Sequence, residues 1–260
     1  MGSIYEHNSY TAALGITFQY NRYGPLCAGC GGNNLKDRSA AQVVRYNWIE
    51  GGNRQLDLVD AEDSVVIRTD PRYRETHVYG NILIEPAGAG NRQIVHYGGD
   101  GKTQNYRKGT LFFYNNTVVS NRTDRTTLFR LSTNSEHADA RDNIFYATAA
   151  GNTVSLLDVY GVLDLSHNWI KPGWVKSFGT FKGTVHDDGT MVQGTSPGFV
   201  NETGQDYHLA FGSAAIDAGT TLNPLVLPAN DVLRQYVKHL TGEPRPSDGK
   251  LDIGAFEFKK

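Results

Sequence analysis

Leu111-Phe112-Phe113-Tyr114-Asn115-Asn116-Thr117-Val118-Val119 sets two short β-branched and aromatic runs on either side of an asparagine. Such runs favour extended backbone, and no 3.6-residue apolar stripe passes through them. Five other stretches repeat the pattern of an apolar residue, two variable ones and Asn. They are Phe18-Gln19-Tyr20-Asn21, Val44-Arg45-Tyr46-Asn47, Val78-Tyr79-Gly80-Asn81, Ala140-Arg141-Asp142-Asn143 and Leu165-Ser166-His167-Asn168. The asparagines are spaced 26, 34, 35, 27 and 25 residues apart. A pattern recurring at such a period marks a solenoid, and short strands make it a β-solenoid. Each coil pairs in parallel with its neighbours. The asparagines stack into a ladder and tolerate left-handed geometry at the turn. The two long spacings place insertions at about Asp70–Thr76 and Gly88–Lys108, which tend to project on one face.

Composition narrows the class. The chain has 260 residues, which suits one domain spanning 1–260. Its net charge of −2 argues against a nucleic-acid partner held by phosphate neutralisation. No run of 18 or more apolar residues exists, so no membrane span is expected. Cys27 and Cys30 sit in Cys-Ala-Gly-Cys followed by Gly31-Gly32, which reads as a loop with or without a local disulfide. A redox pair and half of a zinc site are the alternatives.

The coils run from about residue 4 to 170, and residues 171–260 read as irregular coils and a cap. His186-Asp187-Asp188-Gly189 reads as a turn rather than a ligand set. A helix is expected at Asp231–Leu240, capped by Asn230, with Val232, Leu233, Tyr236, Val237 and Leu240 on one face. It would cover the open C-terminal end of the solenoid. The repeats begin almost at once, with no capping segment. This points to a fragment lacking N-terminal coils, or to a first segment that caps itself.

The second strand of each coil carries the chemistry. Leu35-Lys36, Leu56-Asp57, Val95-His96, Phe129-Arg130 and Leu157-Asp158 alternate an apolar residue with a polar one. With the apolar member inside, Lys36, Asp57, His96, Arg130 and Asp158 form one outward row, coils about 4.8 Å apart. A polymer can lie along such a row, and a polar surface that only keeps the protein soluble is the plainer reading. Arg54 and Tyr97 lie beside the row as further substrate-binding candidates. Tyr97, Tyr106 and Trp48 can stack on sugars or be buried ladder residues. Asp57, Asp60, Glu62 and Asp63 form an acidic cluster. It offers a carboxylate pair for glycoside hydrolysis, oxygen ligands for calcium from Asp60, Glu62 and Asp63, or merely a solvated acidic turn.

Asn33-Asn34-Leu35-Lys36-Asp37-Arg38-Ser39 and Val43-Val44-Arg45-Tyr46-Asn47-Trp48-Ile49 resemble coils of right-handed parallel β-helix proteins of the pectate-lyase-like superfamily. The tail, Ser196-Pro197-Gly198-Phe199-Val200-Asn201 through Asp252-Ile253-Gly254-Ala255-Phe256-Glu257, resembles that of bacterial secreted β-helix proteins. The resemblance implies an all-β right-handed parallel β-helix and an extracellular or periplasmic location. Leu35-Lys36-Asp37-Arg38-Ser39 is similar to the lysine coil of polysaccharide lyase family six, whose members act on acidic polysaccharides, commonly with calcium. It implies Lys36 as base and Arg38 as the charge-neutralising or acid residue. This chain departs from the family on the next coil, where Asp57 stands in place of an arginine. Fold does not fix function, so a non-enzymatic structural or surface module is the rival class.

Overall fold

The computed structural model describes residue 3, residues 5–151 and residues 154–260. Ile4, where the first coil was expected to begin, lies outside the described residues. Three parallel sheets of seven strands each are formed among the described residues. The chain visits them in turn, which makes it a right-handed parallel β-helix, as expected. The first sheet contains Ser9–Thr11, Leu35–Asp37, Leu56–Leu58, Gln93–Tyr97, Thr126–Leu131, Val154–Leu157 and Val175–Ser177. The second runs from Ile16–Gln19 to Thr184–Asp187, and the third from Arg22–Tyr23 to Val192–Gln193.

Inward positions stack into a single apolar column. Leu35, Leu56, Val95, Phe129 and Leu157 lie in register and are fully buried. The asparagine ladder closes the turn between the second and third sheets. Nδ2 of Asn21, Asn47, Asn81, Asn116 and Asn143 each donates to Oδ1 of the next asparagine at 2.9–3.1 Å. The left-handed residue is not the asparagine but the one before it: Tyr20, Tyr46, Gly80, Asn115, Asp142 and His167 all have φ between 47° and 65°. The asparagine keeps ordinary geometry, and its amide also satisfies backbone carbonyls such as Val44 O and Tyr79 O for Asn81.

Three expectations are corrected. Regular coils continue past residue 170. A seventh coil follows, with Met191 at the ladder position and Thr190 Oγ1 accepting from His167 N instead. The expected helix at Asp231–Leu240 is a hairpin, Arg234–Val237 paired antiparallel with Thr241–Pro244. Tyr236 and Val232 are buried while Leu233 and Leu240 face solvent, so the helical stripe is not used. Nor does the tail cap the end of the solenoid. It lies along the side, packing Leu222, Val226 and Val232 on Tyr46, Tyr79 and Tyr114, and Tyr207, Tyr236 and Phe256 in the cluster of Trp48 and Ile82.

The insertions fold over the first sheet. One carries a short helix, Val65–Thr69, and a 3₁₀ turn, Pro71–Arg74; the other carries a 3₁₀ turn, Thr103–Asn105. Arg107 fastens both. Its buried guanidinium donates to Val59 O, Tyr73 O and Ser39 O at 2.8–3.2 Å and lies 4.8 Å from the Tyr73 ring. No helix is long and apolar enough to cross a membrane among the described residues. Cys27 and Cys30 form a disulfide.

Candidate functional site on the first sheet

Strand register brings the outward row together. Lys36 pairs with Asp57, Asp57 with His96 and His96 with Arg130, and Asp158 follows Leu157, the partner of Phe129. Tyr10 extends the row on the N-terminal side of Lys36. The alternation predicted from the sequence is therefore present, but the middle of the row is buried. Asp57 and His96 are wholly inaccessible, while Lys36 and Arg130 keep part of their surface.

Asp57 is the hub. Its Oδ2 lies 2.5 Å from Lys36 Nζ and 2.7 Å from Asn33 Nδ2. Its Oδ1 accepts from His96 Nδ1 at 2.8 Å, with Arg54 Nη1 3.8 Å away. Burial alone would push the Asp57 carboxyl up. The hydrogen bond and charge of His96, followed by those of Lys36, outweigh it and hold the group well below the usual carboxylate range. Burial pushes His96 the other way from a charged state, below its ordinary value, against the pull of Asp57. Because a carboxylate oxygen only accepts, the contact with Asp57 puts a proton on His96 Nδ1. Its Nε2 faces Ser132 Oγ at 2.9 Å.

The other candidates divide by position. Arg38 is outward beside Lys36, with Nη2 2.8 Å from Glu62 Oε1 and Nη1 donating to Asp60 O at 2.7 Å. With Tyr10, Thr11, Ala12, Ala61, Asp63 and Ser64 it lines an open pocket of about 240 Å³. Arg54 is buried and donates to Gln93 Oε1 at 3.0 Å. Arg130 reaches Asp100 Oδ1 at 3.0 Å. Tyr97 does not belong to the face. It points into the core and is fully buried, because it is an inward residue of its strand. Trp48 is likewise buried, on the third sheet.

Among the described residues, the carboxylates of Asp60, Glu62 and Asp63 do not converge on one point. Asp60 is buried, with Oδ1 accepting from Asp100 N at 3.2 Å and Oδ2 lacking a partner among the described residues. Glu62 is committed to Arg38, and Asp63 is exposed in the following turn. The same commitments bear on hydrolysis, since Asp57 is enclosed by donors.

The sequence reading missed Ser132. It is the next outward residue after Arg130, and a glycine, Gly98, occupies the matching place one coil back. Extending the row by one outward position would have exposed that pairing. Comparison with known proteins finds no family model, no curated protein and no solved structure that matches the chain.

Proposed function

We propose that this protein binds an acidic polysaccharide along the outward face of the first sheet and cleaves it there by β-elimination. The observation that carries the reading is the row Lys36, Asp57, His96 and Arg130 in consecutive coils, with Arg38 and Arg54 beside it. Lys36 and Arg130 stand three coils apart on this face, and with Arg38 and Arg54 they offer several cations to the carboxylates of a polymer. The whole chain is slightly acidic, so attraction must come from this local set.

Arg38 suits the uronate carboxyl, because a guanidinium meets a carboxylate through two parallel hydrogen bonds. Glu62, its present partner, is substantially exposed and can be displaced. Neutralising the carboxyl acidifies the adjacent carbon. Lys36, acting as the free amine, then takes that proton, the electron pair forms the carbon–carbon double bond, the glycosidic carbon–oxygen bond breaks, and the departing oxygen takes a proton from water. Asp57 anchors the Lys36 amine on the face. The disulfide and a polysaccharide partner both suit an extracellular or periplasmic location.

A structural module is the second reading, favoured by the pairing already present: Lys36 with Asp57, Arg38 with Glu62, Arg130 with Asp100. Incubation with alginate, pectate, hyaluronan and dermatan-type chains, with and without calcium, decides between them. The expected result is ultraviolet absorbance from unsaturated uronate ends that disappears in Lys36→Ala. Flat traces with retarded migration in a polyanion gel leave binding alone. Flat traces with unretarded migration leave the structural module.

A further inference from the structure

Asp57, His96 and Ser132 stand in the arrangement of an acyl-transfer triad. Asp57 Oδ1 meets His96 Nδ1 at 2.8 Å, and His96 Nε2 meets Ser132 Oγ at 2.9 Å. We infer that Ser132 is a nucleophile and that this face also hydrolyses carboxylic esters. The roles follow from the geometry. Asp57 fixes the imidazole with its proton on Nδ1, leaving the Nε2 lone pair toward the serine hydroxyl. Burial is graded in the way such a site needs: Asp57 and His96 are enclosed, whereas Ser132 keeps accessible surface.

The loop over the serine is built to leave room. Gly98 has φ +128°, and a side chain there would collide with Ser132 Oγ. Gly99 N donates to Ser132 Oγ at 3.0 Å, and the Gly99 and Tyr97 carbonyls lie 2.9 and 3.4 Å from the same oxygen. The hydroxyl therefore has alternative acceptors at rest, and a bound ester shifts it to His96.

In the reaction, Ser132 Oγ attacks the ester carbonyl carbon as its proton passes to His96 Nε2. The carbon–oxygen bond to the alcohol breaks, and His96 returns the proton to the departing alkoxide. Water then attacks the acyl-serine, losing a proton to His96; the bond from the acyl carbon to Ser132 Oγ breaks, and His96 passes the proton to Oγ, which releases the acid and free Ser132. Arg130, two residues before Ser132 on the same outward face, favours an anionic substrate. An O-acetylated acidic glycan is the substrate class that fits; this choice of ester rests on the polysaccharide reading, whereas the triad does not.

The test uses the whole protein. A fluorophosphonate probe should label Ser132, identified by peptide mass spectrometry, in native but not in previously unfolded protein. Hydrolysis of p-nitrophenyl acetate should fall about a thousandfold in Ser132→Ala. Ser135→Ala, an exposed serine nearby, should keep both activities. Absence of label on the folded wild type, or an unchanged rate in Ser132→Ala, overturns the triad even if glycan binding persists. Labelling of Ser132 without glycan binding supports the triad and removes only the choice of glycan ester.

Discussion

Asp142 shows how a single buried carboxyl sets the pH response. It occupies a left-handed turn position, and its Oδ1 accepts from Thr220 N at 2.9 Å, fastening the tail to the solenoid. Its Oδ2 is buried without a partner among the described residues, and burial pushes the carboxyl up to about 7. The folded value lies above the unfolded one, so the unfolded chain loses this proton first. Stability is therefore full below about pH 4 and declines as pH rises toward 7, by up to roughly 4 kcal/mol. Asp142→Asn keeps the acceptor, tolerates the left-handed turn and removes the titration. Thermal unfolding should find the variant more stable than wild type above pH 7 and nearly equal at pH 4. Asp57 has the opposite sign, since its depressed value makes stability fall on acidification. At this scale the sequence showed the outward row but not its enclosure. Alternation along a strand says which way Asp57 and His96 point, while the side chains that close over them, Lys36, Asn33 and Ser132 among them, come from neighbouring coils. For the same reason Ser132 passed unnoticed, because its meaning comes from the histidine one coil back.

The asparagine ladder is the element most plainly legible, because one residue per coil recurs with the same neighbours. What the pattern did not reveal is the division of labour within each turn. The preceding residue bears the left-handed strain, of order 1 kcal/mol when it is not glycine, and the asparagine amide holds it there. This makes the middle of the ladder far less tolerant than its end. Asn81 accepts from Asn47 N and Nδ2 and donates to Val44 O, Tyr79 O and Asn116 Oδ1. Truncation strands several buried groups at once. Asn81→Ala should cost about 3 kcal/mol or more in urea unfolding. Asn21→Ala, at the half-buried end of the ladder, should cost about 1 kcal/mol. Equal costs would mean that coils, rather than the ladder, carry the stability. The hairpin at Arg234–Val237 illustrates the converse. Its apolar spacing suits a helix as well as a strand, and only the partner strand Thr241–Pro244 and the aromatic surface beneath Tyr236 select the strand.

The tail binds the coils into a larger cooperative unit. A solenoid alone would gain stability coil by coil, each contacting only its neighbours. Here the chain returns along the side and spans several coils at once. Tyr114 Oη donates to Asn230 O at 2.6 Å, Asn115 Nδ2 to Asp252 O at 3.0 Å, and Ala255 N to Thr117 Oγ1 at 3.0 Å. Within the tail, buried Arg245 Nε pairs with Glu257 Oε2 at 2.7 Å. The covered residues, Tyr79 and Tyr114 on the second sheet with Tyr46 at its turn, and Trp48, Ile82 and Ile84 on the third, are too apolar to face water as a continuous surface. The sequence offered no sign of this route, since the tail's motifs name a fold without saying which face they meet. Removing residues 217–260 should therefore do more than shorten the protein. Burial of several large side chains is worth many kcal/mol, and for a domain of this size each costs a few degrees. The truncated chain should melt at least about 10 °C lower, over a broader transition, and bind a hydrophobic dye that the intact protein excludes. An unchanged, equally sharp transition would show that the coils cohere without the tail.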